Sequence, residues 1–237
     1  MLSIICPSNN KEILNKYLLN SLKKQSFKDY EIIIVDTLKN KYDGSIAALN
    51  AGIEKANGDL MMFVHHDVEF VEKDSLKNIM DEINKIDDFG VIGVAGTTYN
   101  RNEIISNITQ GDNREEVTNN KIKKATEAFV LDEVLFIIKK ETLQKYPFNK
   151  NNKTWHLYCV EYSLHMHDVN KGVYVIPANI HHASPGYSLN RSYFEYIPNI
   201  LNKYKHKYKS INTTVGSWYT NKLLFKLQVL KRRWEVN

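Results

Sequence analysis

Residues 48–70 read ALNAGIEKANGDLMMFVHHDVEF. A helix-spaced apolar stripe gives way at Asn57-Gly58 to a short apolar run, Leu60 to Val64, which stops abruptly at His65, His66 and Asp67. So apolar a run suits a strand buried on both faces, as in parallel sheets covered by helices. Its end then carries three ionisable side chains at the carboxyl edge of a sheet, where open α/β sheets bind ligands. His65, two residues before Asp67, offers an imidazole nitrogen beside a hard carboxylate oxygen. That pair suits a divalent cation bridging a diphosphate.

The same alternation extends outward. Leu2 to Cys6 is an apolar run bounded by Pro7, Ser8, Asn9 and Asn10, and Lys11 to Gln25 carries Ile13, Leu14, Tyr17, Leu18 and Leu22 at helical spacing. Glu31 to Val35 reads as a second strand ending in Asp36. Ser45 is placed to cap a helix with the stripe Ile46, Leu49, Ile53 and Ala56. Asp74 and Ser75 open another helix, and Val91 to Ala95 reads as a fourth strand. This order predicts an α/β fold with a doubly wound, mostly parallel sheet flanked by helices. Residues 97–120 are polar and read as an excursion over the sheet's ligand face. Ala128 to Ile138 and Val173 to Ile176 return as strands around a helix near Val160 to Asn170.

Length and composition fit that frame. With 237 residues, 43% of them apolar and 25% charged, one good core is expected. We divide the chain into a main domain, 1–190, and a basic, aromatic helical tail, 191–237. The tail holds ten Lys/Arg against two acids, a net charge of +8, while residues 1–190 net −3. Its Tyr204, Tyr208, Trp218, Tyr219, Leu223, Leu224, Phe225 and Trp234 are interleaved with lysines. Two readings stand: an amphipathic surface for anionic lipid, or an appendage packing its aromatics on the main domain. Two cysteines, Cys6 and Cys159, leave no disulfide framework and fit a reducing cytosol. The N-terminus begins as a strand rather than a signal segment, and no apolar run is long enough to span a membrane. A cytoplasmic protein is expected, with no nucleic-acid partner.

Glycine-rich phosphate loops are missing, because the first strand is followed by PSNNKE. Instead a polar group ends each of the first three strands: Ser8 and Asn9, then Asp36, then His65, His66 and Asp67. A parallel sheet brings these ends together. Asp36 is placed to accept hydrogen bonds from a base or ribose, or else to cap the turn after its strand.

In order and spacing, SIICPSNN, SLKKQSFKDYEIIIVD, ALNAGIEKANGD, MMFVHHDVEF, EVLFIIKKETLQKYPF, WHLYCVEYSLHMHDVNKGVYVIP and HHASPG resemble inverting family 2 glycosyltransferases of the GT-A fold. The resemblance covers roughly residues 2–186. It implies a donor pocket built from Pro7, Ser8, Asn9, Asp36, Asn50 and Gly52, with His65 and His66 beside it. It also implies a metal site at Asp67, with His65 in place of the family's first aspartate and His182, in the pattern H-x-S-x-G, closing the site. The implied cofactors are Mn2+ or Mg2+ and a nucleotide-sugar donor, UDP-linked by expectation.

The resemblance places Cys159 where a catalytic aspartate is usual, so the acceptor hydroxyl must lose its proton to Glu161 or to His156. Each site residue also has a plainer reading. His65 and His66 are equally a satisfied pair at a strand end, Glu161 a surface partner of His165, His156 a core histidine, and His181 and His182 parts of a turn.

Three classes stay open at this level. The first is a metal-dependent transferase that moves a sugar, with inversion, to a saccharide or lipid-linked acceptor in surface polysaccharide synthesis. The second is a nucleotidyltransferase, which would ordinarily need a glycine-rich basic loop after the first strand. The third is a non-catalytic nucleotide-sugar or glycan binding module. Selectivity is expected in 97–120 and 184–195, and a membrane-binding tail would suit a lipid-linked acceptor at the inner face of the membrane.

Overall fold

The computed structural model describes residues 1–99, 103–186 and 190–235, with side chains through Lys231. Residues 100–102 and 187–189, within the two stretches expected to set selectivity, lie outside the described residues, as do Asn237 and the side chain of Trp234. The chain runs β1 (Leu2–Ser8), α1 (Lys11–Leu14), a π-helical turn (Asn15–Leu19), α2 (Asn20–Lys23), β2 (Tyr30–Asp36), α3 (Ser45–Ile53) and β3 (Leu60–Val64). It continues through β4 (Val68–Phe70), α4 (Ser75–Ile83), β5 (Val91–Gly93), β6 (Ala95–Thr97), β7 (Ile104–Ser106), β8 (Thr109–Gln110) and β9 (Glu115–Glu116). Then come β10 (Thr126–Glu127), β11 (Val130–Leu131), β12 (Leu135–Lys139), α5 (Lys140–Lys145), α6 (Tyr158–Asp168), β13 (Val173–Val175) and β14 (Ile180–His182). The chain ends with α7 (Arg191–Tyr204), β15 (Ser210–Thr213), β16 (Gly216–Tyr219) and α8 (Lys222–Glu235).

A seven-stranded sheet ordered β10-β13-β5-β12-β3-β1-β2 forms the centre. β1 pairs in parallel with both β2 and β3, and β13 in parallel with β5. The expected mostly parallel sheet is present with two antiparallel additions: β10 at the edge beside β13, and β12 between β3 and β5, with Phe136 opposite Phe63 and Ile137 opposite Ile92. The fourth strand predicted from Val91 to Ala95 therefore divides. Val91–Gly93 stays in the main sheet, and Ala95–Thr97 turns away to pair with β7 and β11.

Successive side chains of a strand point to opposite faces, and the neighbouring strands β1 and β3 use both. Ile4, Cys6, Met62 and Val64 pack with Leu14, Leu18 and Leu22 of the first helical segment and Leu76 and Ile79 of α4. Ile5, Met61 and Phe63 pack with Ile46 and Leu49 of α3 and Tyr158 and Tyr162 of α6. Burying each such side chain stabilises the fold by roughly 1.5–3 kcal/mol before conformational entropy is counted. Gly52 allows α3 to sit close: a Cβ there would lie 2.4 Å from Ile5 Cγ2. Ser45 does not cap α3. Gly44, with φ of 90°, precedes the helix, and the Ser45 hydroxyl donates to the carbonyl of Thr154 at 2.8 Å.

The segment beyond residue 190 is not wholly helical, because β15 and β16 form an antiparallel hairpin between its two helices. Tyr193, Tyr196, Ile197, Ile200 and Trp218 of this segment share a core with Phe129, Leu157, Val160 and Leu164. Trp218 is fully buried, and its Nε1–H donates to the Tyr193 hydroxyl at 2.9 Å. Most of the aromatics are thus spent on packing. Among the described residues no helix is long and apolar enough to cross a membrane.

Candidate active site

The carboxyl ends of β1, β2 and β3 lie side by side. The parallel register sets Ser8 opposite Asp36, and the Ser8 hydroxyl lies 3.0 Å from Nδ1 of His66, beyond the end of β3. Asp36 accepts amide hydrogen bonds from Leu38 at 3.1 Å and Lys39 at 3.0 Å, with the Lys11 ammonium 3.8 Å away. Those amides, the Lys39 amide foremost, hold its carboxyl below the usual range. The aspartate therefore caps its turn and also stands ionised at the strand end. Pro7 is partly buried within β1, Asn9 is exposed just beyond it, and Asn50 is half-buried on α3. The surroundings of Gly52 are those of a packing glycine.

His65, Asp67 and His182 come together although 115 residues of sequence separate the last two. Two local features produce the meeting. The ladder between β3 and β12 runs one residue further, with the His65 amide donating to Val134 at 3.0 Å, which fixes where His65 leaves the sheet. β4 then pairs antiparallel with β14 so that His182 lies opposite Val68. The Ala183 and Ser184 amides donate to Asp67, to its carbonyl at 3.0 Å and to its Oδ2 at 3.2 Å. His182 Nε2 ends 3.4 Å from Asp67 Oδ2, each side chain 13% exposed, and the rings of His65 and His182 lie 5.6 Å apart. One ligand atom from each of the three residues lies within 4.8 Å of the others.

Two imidazoles and a carboxylate form a donor set for a divalent transition-metal ion or, less selectively, Mg2+. Bonds of about 2.1 Å place ligands at most about 4.2 Å apart across an ion. The cluster fits after a contraction of roughly half an ångström. The electrostatics are those of a site charged in advance. Burial alone would raise the Asp67 pKa, but the His182 hydrogen bond and the neighbouring imidazoles outweigh it and hold the carboxyl far below its ordinary value. Burial lowers the basicity of His65, with His182 adding to the effect, down to about 4. Burial would also lower His182, yet the hydrogen bond and charge of Asp67 reverse the outcome and raise it. His181 is turned elsewhere, with Nδ1 3.1 Å from the Thr109 hydroxyl. β8, within the polar stretch 97–120, pairs with β14 and so lies beside this site.

The expected bases lie in other surroundings. Glu161 is buried rather than a surface partner of His165. Its carboxylate accepts from Asn149 Nδ2 at 2.6 Å and the Tyr196 hydroxyl at 2.9 Å, with Lys203 Nζ 3.9 Å away. It lines a small cavity with Asn149, Tyr158, Tyr162, His165 and Lys203. His156 stacks edge-on against Tyr193 at 5.9 Å, and its enclosed Nε2 has no hydrogen-bond partner. Burial keeps its basicity low. Cys159 is fully buried, and burial followed by the nearby Glu133 pushes its thiol well above the ordinary range, so it is no proton acceptor near neutrality.

Two carboxylates escaped the sequence reading. Asp132 and Glu133 join β11 to β12, and Asp132 accepts from the Val134 amide at 3.0 Å and from the Thr214 hydroxyl. Its charge acts on both His65 and His182. Burial, reinforced by Asp132, pushes Glu133 up to about 8, against the backbone amides near the start of α6, and its Oε1 is enclosed without a partner. The available signal was an acidic pair interrupting the apolar run from Ala128 to Ile138.

Comparisons with known proteins bear on the fold and the family. A family model described as "Glycosyltransferase like family" matches residues 3–204. No curated protein matches the chain. Among solved structures, the mannosyltransferase PcManGT from Pyrobaculum calidifontis, in complex with GDP-Man and Mn2+, superposes with a TM-score of 0.60 at 12% identity, over 88% of this chain and 65% of that one. S. aureus TarS 1–349 in complex with UDP-GlcNAc gives 0.57 at 17% identity, over 84% and 65%. GalNAc-T7 with UDP, GalNAc and Mn2+ gives 0.62 at 14% identity, over 86% and 50%. At these identities the likeness is one of fold, the GT-A fold. The chain spans less than two thirds of the length of each of these structures.

Proposed function

The chain belongs to the glycosyltransferase-like family, and from that premise we propose that it moves a sugar, with inversion, from a nucleotide-diphosphate sugar to a saccharide or lipid-linked acceptor. The observation that carries this reading is the His65–Asp67–His182 cluster at the carboxyl ends of the central strands. A divalent cation, Mn2+ or Mg2+, held by those three residues would neutralise the charge that develops on a leaving diphosphate. Ser8, tied to His66, and the ionised Asp36 are assigned to the nucleotide, together with Pro7, Asn9 and Asn50. Gly52 contributes by letting α3 approach. We take UDP as the nucleotide.

Proton removal from the acceptor is assigned to Glu161 or His156. Glu161 is a carboxylate whose hydrogen bonds define its orientation, and His156 offers an unpartnered, neutral Nε2. Surface polysaccharide synthesis at the cytoplasmic face of a membrane, with the basic segment beyond Arg191 holding the protein there, fits a lipid-linked acceptor. The buried thiol of Cys159 favours a second reading, a binding module that retains nucleotide-sugar affinity without transfer.

Calorimetric titration of UDP, with and without manganese, tests the first reading on the wild type and on Asp67→Ala. Manganese-dependent binding that disappears in the variant is expected. Binding that ignores both the metal and the substitution would overturn the site. Turnover of a UDP-sugar that falls in Glu161→Gln or His156→Ala identifies the base, and tight binding with no turnover in the wild type selects the binding module.

A further inference from the structure

Helix α8 divides into two faces with different fates. Asn221 opens it, its Oδ1 accepting from the Leu223 and Leu224 amides at 3.0 and 3.2 Å. One face is anchored: Phe225 and Val229 pack on the tail core, Phe225 meets Trp218 edge-on at 5.9 Å, and Gln228 accepts from the Tyr219 amide and donates to the Ser217 carbonyl, both at 2.9 Å. The other face carries Leu223 at 72% exposure, Leu227 at 62% and Leu230 at 52%. Their spacing of four and three residues places them in one row on an α-helix. Leu224, at 44%, borders it, and the exposed Tyr219 lies just before the helix.

Leucines so exposed are costly in water, and a contiguous apolar row marks a contact surface. Charge identifies the partner. Lys222, Lys226, Lys231, Arg232 and Arg233 accompany the row on this helix against Glu235 alone. On a regular helix Lys222 and Lys226 fall along one side of the leucine row. An apolar row bordered by cations on a helix of strongly positive charge matches the interface of a bilayer with anionic headgroups, the leucines entering the acyl boundary and Lys222 and Lys226 reaching phosphates. A partner protein with an apolar groove would satisfy the leucines but would not account for the five cations against one acid that this helix carries in sequence.

We propose that α8 is an interfacial membrane helix that docks this protein on anionic lipid through Leu223, Leu227 and Leu230. This gives the membrane position proposed above one defined element. It leaves the rest of the basic segment, most of whose aromatics are buried or partly buried, to structural work.

The test is sedimentation of the full chain with vesicles of phosphatidylcholine alone and of phosphatidylcholine with phosphatidylserine. Binding is expected only with phosphatidylserine and should weaken as salt is added. Leu227→Ser with Leu230→Ser should abolish it, and Lys226→Gln should weaken it about five-fold. Analytical ultracentrifugation without lipid and manganese-dependent UDP binding accompany each variant. Equal binding to both vesicles, or to neither, overturns the proposal. So does a wild-type dimer that the leucine variant dissolves, since the row would then be covered by a second copy. UDP binding retained without vesicle binding refutes the membrane helix alone, and vesicle binding without UDP binding refutes the transferase reading alone.

Discussion

Binding of a divalent cation to the His65–Asp67–His182 cluster should release close to one proton near pH 6, and that proton should come from His182. Asp67 is held ionised by its partners and has no proton to lose. His65, at about 4, is already neutral at pH 6. His182 alone is raised above its ordinary value, and as a metal ligand it must be neutral. Below its pKa the apparent metal affinity should therefore rise about tenfold per pH unit, some 1.4 kcal/mol, and level off above it. Calorimetry with manganese in buffers of different ionisation enthalpy counts the protons directly. In Asp67→Asn the hydrogen bond and charge that raise His182 are gone while its burial remains, so its pKa should fall and proton release at pH 6 should drop well below one. Because this variant also loses a ligand, imidazole proton resonances of the metal-free protein give an independent reading. The His182 midpoint should lie above 6.5 in the wild type and shift down in the variant. His65→Ala should keep the release near one. A wild type that releases no proton at pH 6, or whose His182 titrates below 6.5, would show the electrostatic account of the site to be wrong.

Glu133 supplies a test with the opposite sign. Because its pKa is raised to about 8 from 4.5, the folded state binds the extra proton across that window, and stability should fall as pH rises through it. Glu133→Gln should remove a decline on the order of 1 kcal/mol per pH unit, so denaturant curves at pH 8 should show the variant more stable, and curves that coincide at pH 5 and pH 8 would refute the assignment. At Gly52, Ala would set a methyl 2.4 Å from Ile5 Cγ2, and overpacking of this kind costs about 1–3 kcal/mol, read as a lower urea midpoint at unchanged slope. Trp218→Ala should cost about 3–5 kcal/mol in a single cooperative transition, because Trp218 belongs to the core shared with α6. A separate early transition confined to the tail would mean that residues beyond 190 fold on their own.

What the sequence disclosed follows from what is local. Leu60 to Val64 was legible as a strand to the residue because a wholly apolar run ending in His-His-Asp leaves few alternatives, and Asp74 before Ser75 marked the start of α4. The insertion of β12 between β3 and β5 was not legible. Its register, Phe136 against Phe63, is a choice between segments more than 70 residues apart, and nothing in LFIIK states a direction. The hairpin of β15 and β16 was obscured differently. Ile211, Thr213 and Gly216 carry strand and turn signals, but the surrounding lysines drew the segment into a single basic helix. At the site, His65 and Asp67 were visible as neighbours, whereas the arrangement that makes them a three-ligand cluster rests on the pairing of β4 with β14. His182 was reached through resemblance, and Asp132 and Glu133 were hidden by the apolar run that contains them. At the metal cluster His65 and Asp67 were readable from the sequence, and the strand pairing that aims them at His182 was not. The pairing of Val68 with His182 is therefore the most consequential non-local contact in the chain: a slip of one residue there would present His181 and send His182 to the other face of the sheet.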